Sequence, residues 1–365
     1  MSTTITDTTE TTSHGTDALV ERLFGAVLAT LDLQSVHLGD RLGYYRALAG
    51  AGGLTAAELA ARTATSQRYT REWLEQQAVT GIIAADDEPD GDRRRFTLPD
   101  GHVEPLTAVL SPNHVVPLAR FVVGAGKQMD ALVEAYRTGG GLSWAAHGVD
   151  LREAQAAANR PMFLGALGTE YLPAVPDVDA ALRAGGRVAD IGCGLGWSSI
   201  GIALAYPEAT VDGYDVDAPS IEAARRNAAE SGVGDRVRFH VVDAATVDAR
   251  YDVVFAFECI HDLPDPVAVL TAMRALAGER GTVVVMDERV AETFTAPGDE
   301  IERLMYGYSL LCCLADGMAH QPSAATGTVM RPDTLREYAV RAGFAGIEVL
   351  DIADEFFRFY RLVRR

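Results

Sequence analysis

The stretch VADIGCGLGWSSIGIALA, residues 188–205, decides the fold of the C-terminal half of this chain. It begins as a short apolar run, passes through glycines at alternate positions, and continues as an apolar run of helical composition. A buried strand, a glycine turn and a helix in this order are typical of a turn that cradles a nucleotide-like cofactor. A nicotinamide dinucleotide, a nucleoside triphosphate and S-adenosylmethionine are the candidates, and they lead to different chemistries.

The spacing of the glycines disfavours two of these cofactors. Gly192, Gly194 and Gly196 follow the pattern G-x-G-x-G, whereas the dinucleotide fingerprint is G-x-G-x-x-G, or Ala at its last position. Counted from Gly192 that last position is Trp197, and counted from Gly194 it is Ser199. The phosphate loop of nucleoside triphosphatases needs a Lys after the turn, and none follows here.

Acidic residues at three strand ends favour S-adenosylmethionine. Asp190 ends the first strand, where a carboxylate would repel a pyrophosphate but stabilise an amino-acid ammonium group. Asp215 ends the next strand, 19 residues after Gly196, at the distance where an acid accepts ribose hydroxyls; Asp217 is the second candidate. Asp243 ends the third strand and can accept from the adenine amino group. Ligands of open α/β sheets bind at these carboxyl ends.

Beyond the glycine turn, short apolar runs alternate with helical patterns. The runs RVADI, TVDGYD, RVRFHVVD, YDVVFAFE and GTVVVMDE predict a parallel, doubly wound α/β sheet. IEVLDI and EFFRFYRLVRR, near the C-terminus, predict an antiparallel hairpin at the edge of that sheet.

The N-terminal part of the chain has the element order of a winged helix. Thr55 and Glu58 form the capping box of a short helix, and a second helix carries Tyr69, Trp73 and Leu74 on its apolar face. Two strands around an acidic hairpin tip follow. The arginines of these helices and of the hairpin are balanced by acidic residues, which disfavours DNA binding and favours dimerisation and packing.

Four segments are predicted along the chain. The connector contains GGGLSWAAHG, whose glycines precede Trp144 and His147; it is expected to form a lid and substrate wall, and a plain helical connector is the alternative. The segments are a disordered tail at 1–16, a winged-helix-like dimerisation domain at 17–100, a helical connector and lid at 101–185, and a cofactor-binding domain at 186–365.

Composition limits the partners. Lys and Arg number 32 against 51 Asp and Glu, for a net charge of −19, so no nucleic-acid partner is expected. No apolar run is long enough to span a bilayer, and the N-terminus lacks the basic and apolar regions of a signal peptide, which predicts a cytoplasmic protein. The 4 cysteines show neither CxxC spacing nor a nearby His cluster, so we expect reduced cysteines and no metal site.

Four segments together resemble a class I S-adenosylmethionine-dependent methyltransferase: VADIGCGLGWSSIGIA, VDGYDVDAPSIEAAR, RVRFHVVDAA and FECIHDLPDP. With residues 287–344, the chain resembles a bacterial subgroup that has an N-terminal winged-helix domain. The resemblance implies a Rossmann-like sheet of seven strands, mostly parallel with one antiparallel strand, and a homodimer built through the N-terminal domain.

The same resemblance implies which residues hold the cofactor. The aspartate of the first strand and the glycines would hold the methionine part, the acid of the second strand the ribose, and Asp243 with Ala244 the adenine; Glu258 is also expected to contact the cofactor. The predicted cofactor-binding set is Asp190, Gly192, Cys193, Gly194, Gly196, Asp215, Val216, Asp243, Ala244, Phe257 and Glu258.

His261 is the predicted general base. It lies in FECIHDLPD just after the fourth strand, at the carboxyl edge of the sheet, and Asp262 is its predicted orienting partner. The segment is similar to the His-Asp-Trp stretch of small-molecule O-methyltransferases, in which the His is the base, but Leu263 stands in place of the Trp. The alternative is that His261 merely caps the following helix.

The acceptor site is expected to be apolar and aromatic, suited to a small, flat metabolite. A single helix face would supply Tyr308, Leu311 and Cys312, and the connector would supply Trp144, Phe163 and Tyr171. Residues at this helical spacing are also typical of plain core.

The predicted function is methyl transfer from S-adenosylmethionine to oxygen or nitrogen of a small metabolite, releasing S-adenosylhomocysteine, in secondary metabolism. Two alternatives stay open. One is an enzyme that binds S-adenosylmethionine but catalyses a non-methylating reaction, and the other is a transcriptional regulator that senses a ligand.

Overall fold

The computed structural model describes residues 8–364, with side chains from residue 15 onward. Its contacts divide the chain into two compact units, the first running to Val123 and the second beginning at Gly124. Of the tail predicted to be disordered, residues 1–7 lie outside the described residues, and the backbone is already helical from Thr8. None of the helices in the described part has both the length and the apolarity of a membrane span.

The first unit is helical with a small two-stranded wing. Its core gathers apolar side chains from most of its elements, with Tyr44, Tyr45 and Phe96 almost fully buried. The elements are α1 (Thr8–Arg41), α2 (Tyr44–Leu48), α3 (Ala56–Thr63), α4 (Gln67–Val79), β1 (Ala84–Ala85), β2 (Phe96–Thr97), α5 (Asp100–Thr107) and α6 (Val116–Gly126), the last of which continues into the second unit.

Two local predictions for the winged helix have different outcomes. The capping box is confirmed: the Thr55 hydroxyl accepts from the Glu58 amide and the Glu58 carboxylate accepts from the Thr55 amide. On α4, Trp73 and Leu74 are buried as predicted, but Tyr69 is 79% exposed. The prediction for Tyr69 is wrong because helical spacing alone does not fix how far the apolar stripe extends around the helix.

The second unit is a seven-stranded sheet with helices on both faces. The helices are α7 (Met129–Thr138), α8 (Trp144–Leu164), α9 (Pro176–Arg183), α10 (Trp197–Ala205), α11 (Ala218–Glu230), α12 (Pro266–Ala277), α13 (Glu300–Tyr308), α14 (Leu314–Gly317) and α15 (Pro332–Arg341). The strands are β3 (Arg187–Ile191), β4 (Thr210–Asp215), β5 (Val237–Val241), β6 (Val253–Phe257), β7 (Thr282–Glu288), β8 (Gly346–Val349) and β9 (Phe357–Val363).

The strand order is β5-β4-β3-β6-β7-β9-β8, in which β9 runs antiparallel to both of its neighbours. The predicted fold class and the predicted C-terminal hairpin are therefore confirmed. The central strands are buried along almost their whole length, because one apolar cluster covers each face of the sheet.

The order of the strands locates the ligand-binding edge. From β3 the chain moves outward to β4 and β5, and then it crosses back to β6 on the other side of β3. The loops that follow β3 and β6 therefore diverge, and the crevice between them is where open α/β sheets bind ligands. The glycine turn follows β3, and the segment with His261 follows β6.

Glycine is required at the last position of the glycine turn. Gly196 precedes α10 with a φ of 81°, in the left-handed region, and a Cβ there would lie 2.5 Å from the Phe239 ring. Gly194 has a φ of 51°, but a Cβ there would meet no heavy atom within 4 Å.

We therefore expect Gly196→Ala to unfold at a markedly lower urea concentration than the wild type. Left-handed strain and overpacking of the Phe239 ring each cost about 1–3 kcal/mol of folding free energy. Gly194→Ala is the matched control, because it adds the strain without the overpacking. Equal losses of stability in the two variants would contradict this account of Gly196.

Candidate functional site

The carboxylate of Asp190 lies at the end of β3, beside the glycine turn. It is 1% exposed, and its Oδ2 accepts hydrogen bonds of 2.6 Å from the hydroxyls of Ser198 and Ser199 at the start of α10. Its Oδ1 is buried without a hydrogen-bond partner among the described residues. Burial raises the pKa of Asp190 to about 6. A free, buried carboxylate oxygen is costly unless a ligand that donates hydrogen bonds or carries positive charge occupies the site.

Asp215 lies at the end of β4 and holds the glycine turn in place. Its Oδ2 accepts from the Gly194 amide at 2.9 Å, and its Oδ1 accepts from the Asp217 amide at 2.8 Å. Asp217, the second candidate for the ribose, accepts from the amide and hydroxyl of Ser220 and forms an ion pair with Arg152. Asp215 therefore lies next to the turn, whereas Asp217 is already committed to capping α11.

The other predicted cofactor residues lie along the same edge. Asp243, after β5, accepts from the Ala245 amide, and Ala244 next to it is buried. Burial raises the pKa of the Cys193 thiol in the glycine turn, while Val216 is 73% exposed. Phe257, the last residue of β6, is buried and stacks on Phe255. The structure thus brings the predicted cofactor set together at the carboxyl ends of β3, β4, β5 and β6.

Glu258 has an unusual backbone and one free oxygen. It has a φ of 52°, which costs free energy for a residue other than glycine. Its Oε2 accepts from the side-chain amides of Gln155 at 3.1 Å and Asn159 at 2.8 Å. Its Oε1 is buried and unpaired within the described part of the chain. Burial and the nearby carboxylate of Glu288 raise the pKa of Glu258.

His261 lies in a short 3₁₀ turn, Ile260–Asp262, and is almost fully buried. Its Nδ1 lies 2.8 Å from Asp287 Oδ1 and 3.0 Å from Glu288 Oε2, and its Nε2 lies 3.2 Å from Asp262 Oδ1. Burial opposes a charge on the ring, but the charges of the three carboxylates outweigh it and raise the pKa of His261 well above its ordinary value. These carboxylates therefore favour a positive charge on the ring.

The alternative that His261 caps the following helix is wrong. The N-cap of α12 is Asp265, whose carboxylate accepts from the Ala268 amide at 2.9 Å. Asp262 does contact His261, but on Nε2, the side that a base must turn to its substrate. The partners of Nδ1 are Asp287 and Glu288.

Asp287 and Glu288 are functional candidates that the sequence analysis missed. They end β7, the strand beside β6, and both are buried. The signal was present in the sequence, because the run GTVVVMDE ends in two acids at the same sheet edge as the aspartates of β3 and β4. Burial raises the pKa of Glu288.

The spacing of these groups also fits a metal ion. The ligand atoms of His261, Asp287 and Glu288 lie within 4.8 Å of one another. An imidazole must be neutral to bind a metal, so a metal would have to displace the proton that the raised pKa of His261 favours.

The residues predicted to line the acceptor site come from two parts of the chain, a helix with its following turn and the connector. Burial, together with the charges of Glu258 and Glu288, raises the pKa of Tyr308 to about 12. A π-helical turn, Ser309–Cys313, follows, so the predicted single face of an α-helix is broken. As a result Leu311 packs with Leu132, Leu142 and Ala315. The thiol of Cys313, the neighbour of Cys312, lies near His261 and Asp262.

The three connector residues have different surroundings. Trp144, at the start of α8, donates its amide to Asp316 Oδ1 at 2.7 Å. Phe163 packs edge-on against Phe257, the residue that precedes Glu258. The Tyr171 hydroxyl donates to Asp354 at 2.5 Å and its ring packs against Phe359, contacts that tie it to β9 and not to His261.

Comparison with known families agrees with this architecture. Residues 182–321 match the family described as a methyltransferase domain, and residues 29–108 match the Rv2258c-like winged HTH domain. The predicted combination of domains is confirmed: the chain joins a methyltransferase domain to an N-terminal winged-helix domain.

One curated relative is the 27-O-demethylrifamycin SV methyltransferase of Amycolatopsis mediterranei, 41% identical over 87 residues, which cover 23% of this chain and 32% of that protein. A second is the ubiquinone biosynthesis O-methyltransferase of Bordetella pertussis, 40% identical over 106 residues, 28% of this chain and 43% of that protein. The chain thus spans less than half the length of these relatives.

Solved structures share the fold over nearly the whole chain. Human N-acetylserotonin methyltransferase, in complex with S-adenosylmethionine, is 17% identical with a TM-score of 0.69, covering 94% of this chain and 97% of that one. The O-methyltransferase NcsB1 from neocarzinostatin biosynthesis, in complex with S-adenosylhomocysteine and 1,4-dihydroxy-2-naphthoic acid, is 18% identical with a TM-score of 0.62, covering 92% and 96%.

Proposed function

We propose that this chain is an S-adenosylmethionine-dependent methyltransferase that acts on a hydroxyl group of a small, apolar or aromatic metabolite. The observation that carries the proposal is Asp190, a buried carboxylate with one free oxygen, beside the glycine turn of a domain of the methyltransferase family. The O-methyltransferases named among its relatives and structural neighbours support oxygen as the acceptor.

The chemistry of the donor set fits S-adenosylmethionine. Asp190 would bind the ammonium group, Asp215 the ribose hydroxyls and Asp243 with Ala244 the adenine, each from the end of a successive strand. When bound there, S-adenosylmethionine supplies a methyl group activated by a neighbouring sulfonium charge. The complexes of two structural neighbours with S-adenosylmethionine or S-adenosylhomocysteine support this choice of cofactor.

His261 would act as the general base in its neutral form. Asp287 and Glu288 fix the ring through Nδ1, so Nε2, which faces Asp262, is the nitrogen that would accept the proton of the substrate. The carboxylates that hold the ring also favour the imidazolium, so only the fraction of His261 that has lost its proton can act. The rate is therefore expected to rise with pH toward the raised pKa of His261.

The two alternatives are less well supported. The arginines of α4 and of the wing pair with nearby acids: Arg71 with Glu75, and Arg93 with Glu88. They are therefore poorly placed to bind DNA phosphates as a regulator would. A non-methylating reaction would use the same cofactor site, and following a labelled methyl group from the cofactor into product distinguishes it from methyl transfer.

We also propose that the chain forms a homodimer through the winged-helix domain. Helix α1 carries a stripe of apolar side chains that are about half exposed or more, with no covering partner in the described part of this chain. An identical helix of a second copy would bury that stripe. Its members are Leu19, Val20, Leu23, Phe24, Val27, Leu28 and Leu31.

Calorimetry with S-adenosylmethionine and with NAD tests the cofactor assignment. We expect S-adenosylmethionine to bind and NAD not to bind. Because the ammonium group needs the ionised carboxylate, affinity should fall as the pH drops through the pKa of Asp190, about 6. Asp190→Asn should weaken binding roughly 10- to 100-fold and remove that pH dependence. Asp248→Asn, at a fully exposed carboxylate, is the control. Binding of NAD in place of S-adenosylmethionine would overturn the proposed function.

His261→Ala should lower turnover by roughly 10²–10⁴-fold if His261 is the base, with the Kd for S-adenosylmethionine unchanged. A screen of small phenols and amines, read as release of S-adenosylhomocysteine, supplies the substrate. His240→Ala is the matched control, since His240 also pairs with a carboxylate, Asp212, at 2.9 Å, but is 40% exposed. A loss below tenfold with cofactor affinity intact would remove His261 from this role.

A charge on the apolar stripe of α1 tests the homodimer. The double variant Leu23→Glu with Phe24→Glu should sediment as a monomer, because the interface would have to bury two unpaired carboxylates. Ala29→Glu lies on the opposite side of the same helix and should leave the dimer intact. A wild-type protein that sediments as a monomer at micromolar concentration would rule out the proposal.

A further inference from the structure

His147 is a second buried histidine, and its ring is unsatisfied. It is 3% exposed, and neither ring nitrogen has a hydrogen-bond partner among residues 15–364. A buried imidazole always presents at least one N–H donor, and leaving such groups unpaired costs about 1–3 kcal/mol for each group. Unpaired buried polar groups in a folded protein call for an explanation, and a ligand site is one.

The loop that carries His147 is anchored to α14, and α14 packs against the segment of His261, since a Cβ on Gly317 would lie 3.1 Å from the Asp262 carbonyl oxygen. Burial lowers the pKa of His147, and the charge of Asp262 acts on it in the opposite direction. Asp262 in turn contacts Nε2 of His261. Asp262 therefore lies within electrostatic reach of two histidines whose pKa values are shifted in opposite directions.

The backbone around His147 is fixed. Asp316 caps the first turn of α8 by accepting from the Trp144 amide, and the Leu142 amide donates to the Ala315 carbonyl at 2.8 Å. Gly148, with a φ of 82°, breaks α8 immediately after His147, so this first turn is oriented independently of the rest of the helix. The backbone that carries His147 is thus anchored to α14, and a rigid mount is what a positioning residue requires.

We propose that His147 positions the methyl-accepting substrate by binding its hydroxyl group through a ring nitrogen. This inference rests on the proposed function and names the group that the acceptor must carry. A neutral imidazole both donates and accepts, so it suits a hydroxyl group. The carboxylates of Asp262 and Asp316 nearby disfavour a carboxylate on the same part of the substrate. His147 would hold the acceptor, and His261 would receive its proton.

Ligand pairs that differ in one hydroxyl group test this role without requiring turnover. Protein saturated with S-adenosylhomocysteine is titrated with 1-naphthol against naphthalene, and with 7-hydroxycoumarin against coumarin. The wild type should prefer the hydroxylated member of at least one pair about tenfold, as one satisfied hydrogen bond predicts. His147→Leu should reduce that preference below threefold, and His147→Gln, which keeps a donor and an acceptor, should restore part of it.

Thermal stability separates a ligand-binding role from a structural one. His147→Leu removes an unsatisfied polar group at similar volume, so it should melt no lower than the wild type. The matched control is His114→Leu, which should melt lower because His114 is paired with the Pro105 carbonyl at 3.1 Å. With a substrate from the screen, His147→Leu should raise the KM for the acceptor at least tenfold and leave the Kd for S-adenosylmethionine within twofold.

Three results would overturn the inference. They are a wild type with no preference for the hydroxylated member of either pair, a preference that His147→Leu keeps within twofold, and a His147→Leu variant that melts lower as His114→Leu does. Failure of the proposed function looks different: no methyl reaches any acceptor, yet the hydroxyl preference is present in the wild type and lost in His147→Leu.

Discussion

The burial of negative charge at one edge of the sheet governs this site. The pKa values of Asp190, Glu258, Glu288 and Asp316 are all raised, in each case chiefly by burial. Each of these groups holds its proton more tightly in the folded chain than in the unfolded one, so ionising it costs folding free energy at neutral pH. His261 offsets part of this charge. A cationic ligand would offset more, which is why this edge suits an ammonium and a sulfonium group and repels a pyrophosphate.

The fold could be predicted from the sequence because its signals are local. Apolar runs separated by helical patterns identify a parallel sheet, and Thr55 with Glu58 is sufficient to begin a helix. The exposure of Tyr69 could not be predicted, since it depends on how far neighbouring elements wrap around α4. The π-helical turn Ser309–Cys313 was missed for a related reason: the sequence spacing is that of an ordinary helix, and a single inserted residue shifts the side chains after it.

The residues of the candidate site that lie at the ends of strands could be predicted from the sequence, and the others could not. Asp190, Asp215 and His261 follow from the rule that parallel strands present their carboxyl ends to the ligand. The same rule applied to β7 would have identified Asp287 and Glu288 as the partners of His261. Because Asp262 is next to His261 in the sequence, it was predicted to orient the imidazole ring. Which carboxylate approaches which ring nitrogen depends instead on which strands are neighbours in the sheet.

His147 shows what tertiary structure adds beyond these rules. His147 follows three glycines and precedes a kink at Gly148. This position in the sequence indicates a loop, but it does not indicate where the ring lies. Only the docking of that loop on α14 brings His147 toward Asp262, and there burial lowers the pKa of its imidazole while the carboxylates around His261 raise the pKa of that ring. Two histidines in one site therefore have pKa values shifted in opposite directions, because carboxylates of the described chain contact only His261. This difference separates a residue that can hold a hydroxyl group from one whose proton must leave before it can act as a base.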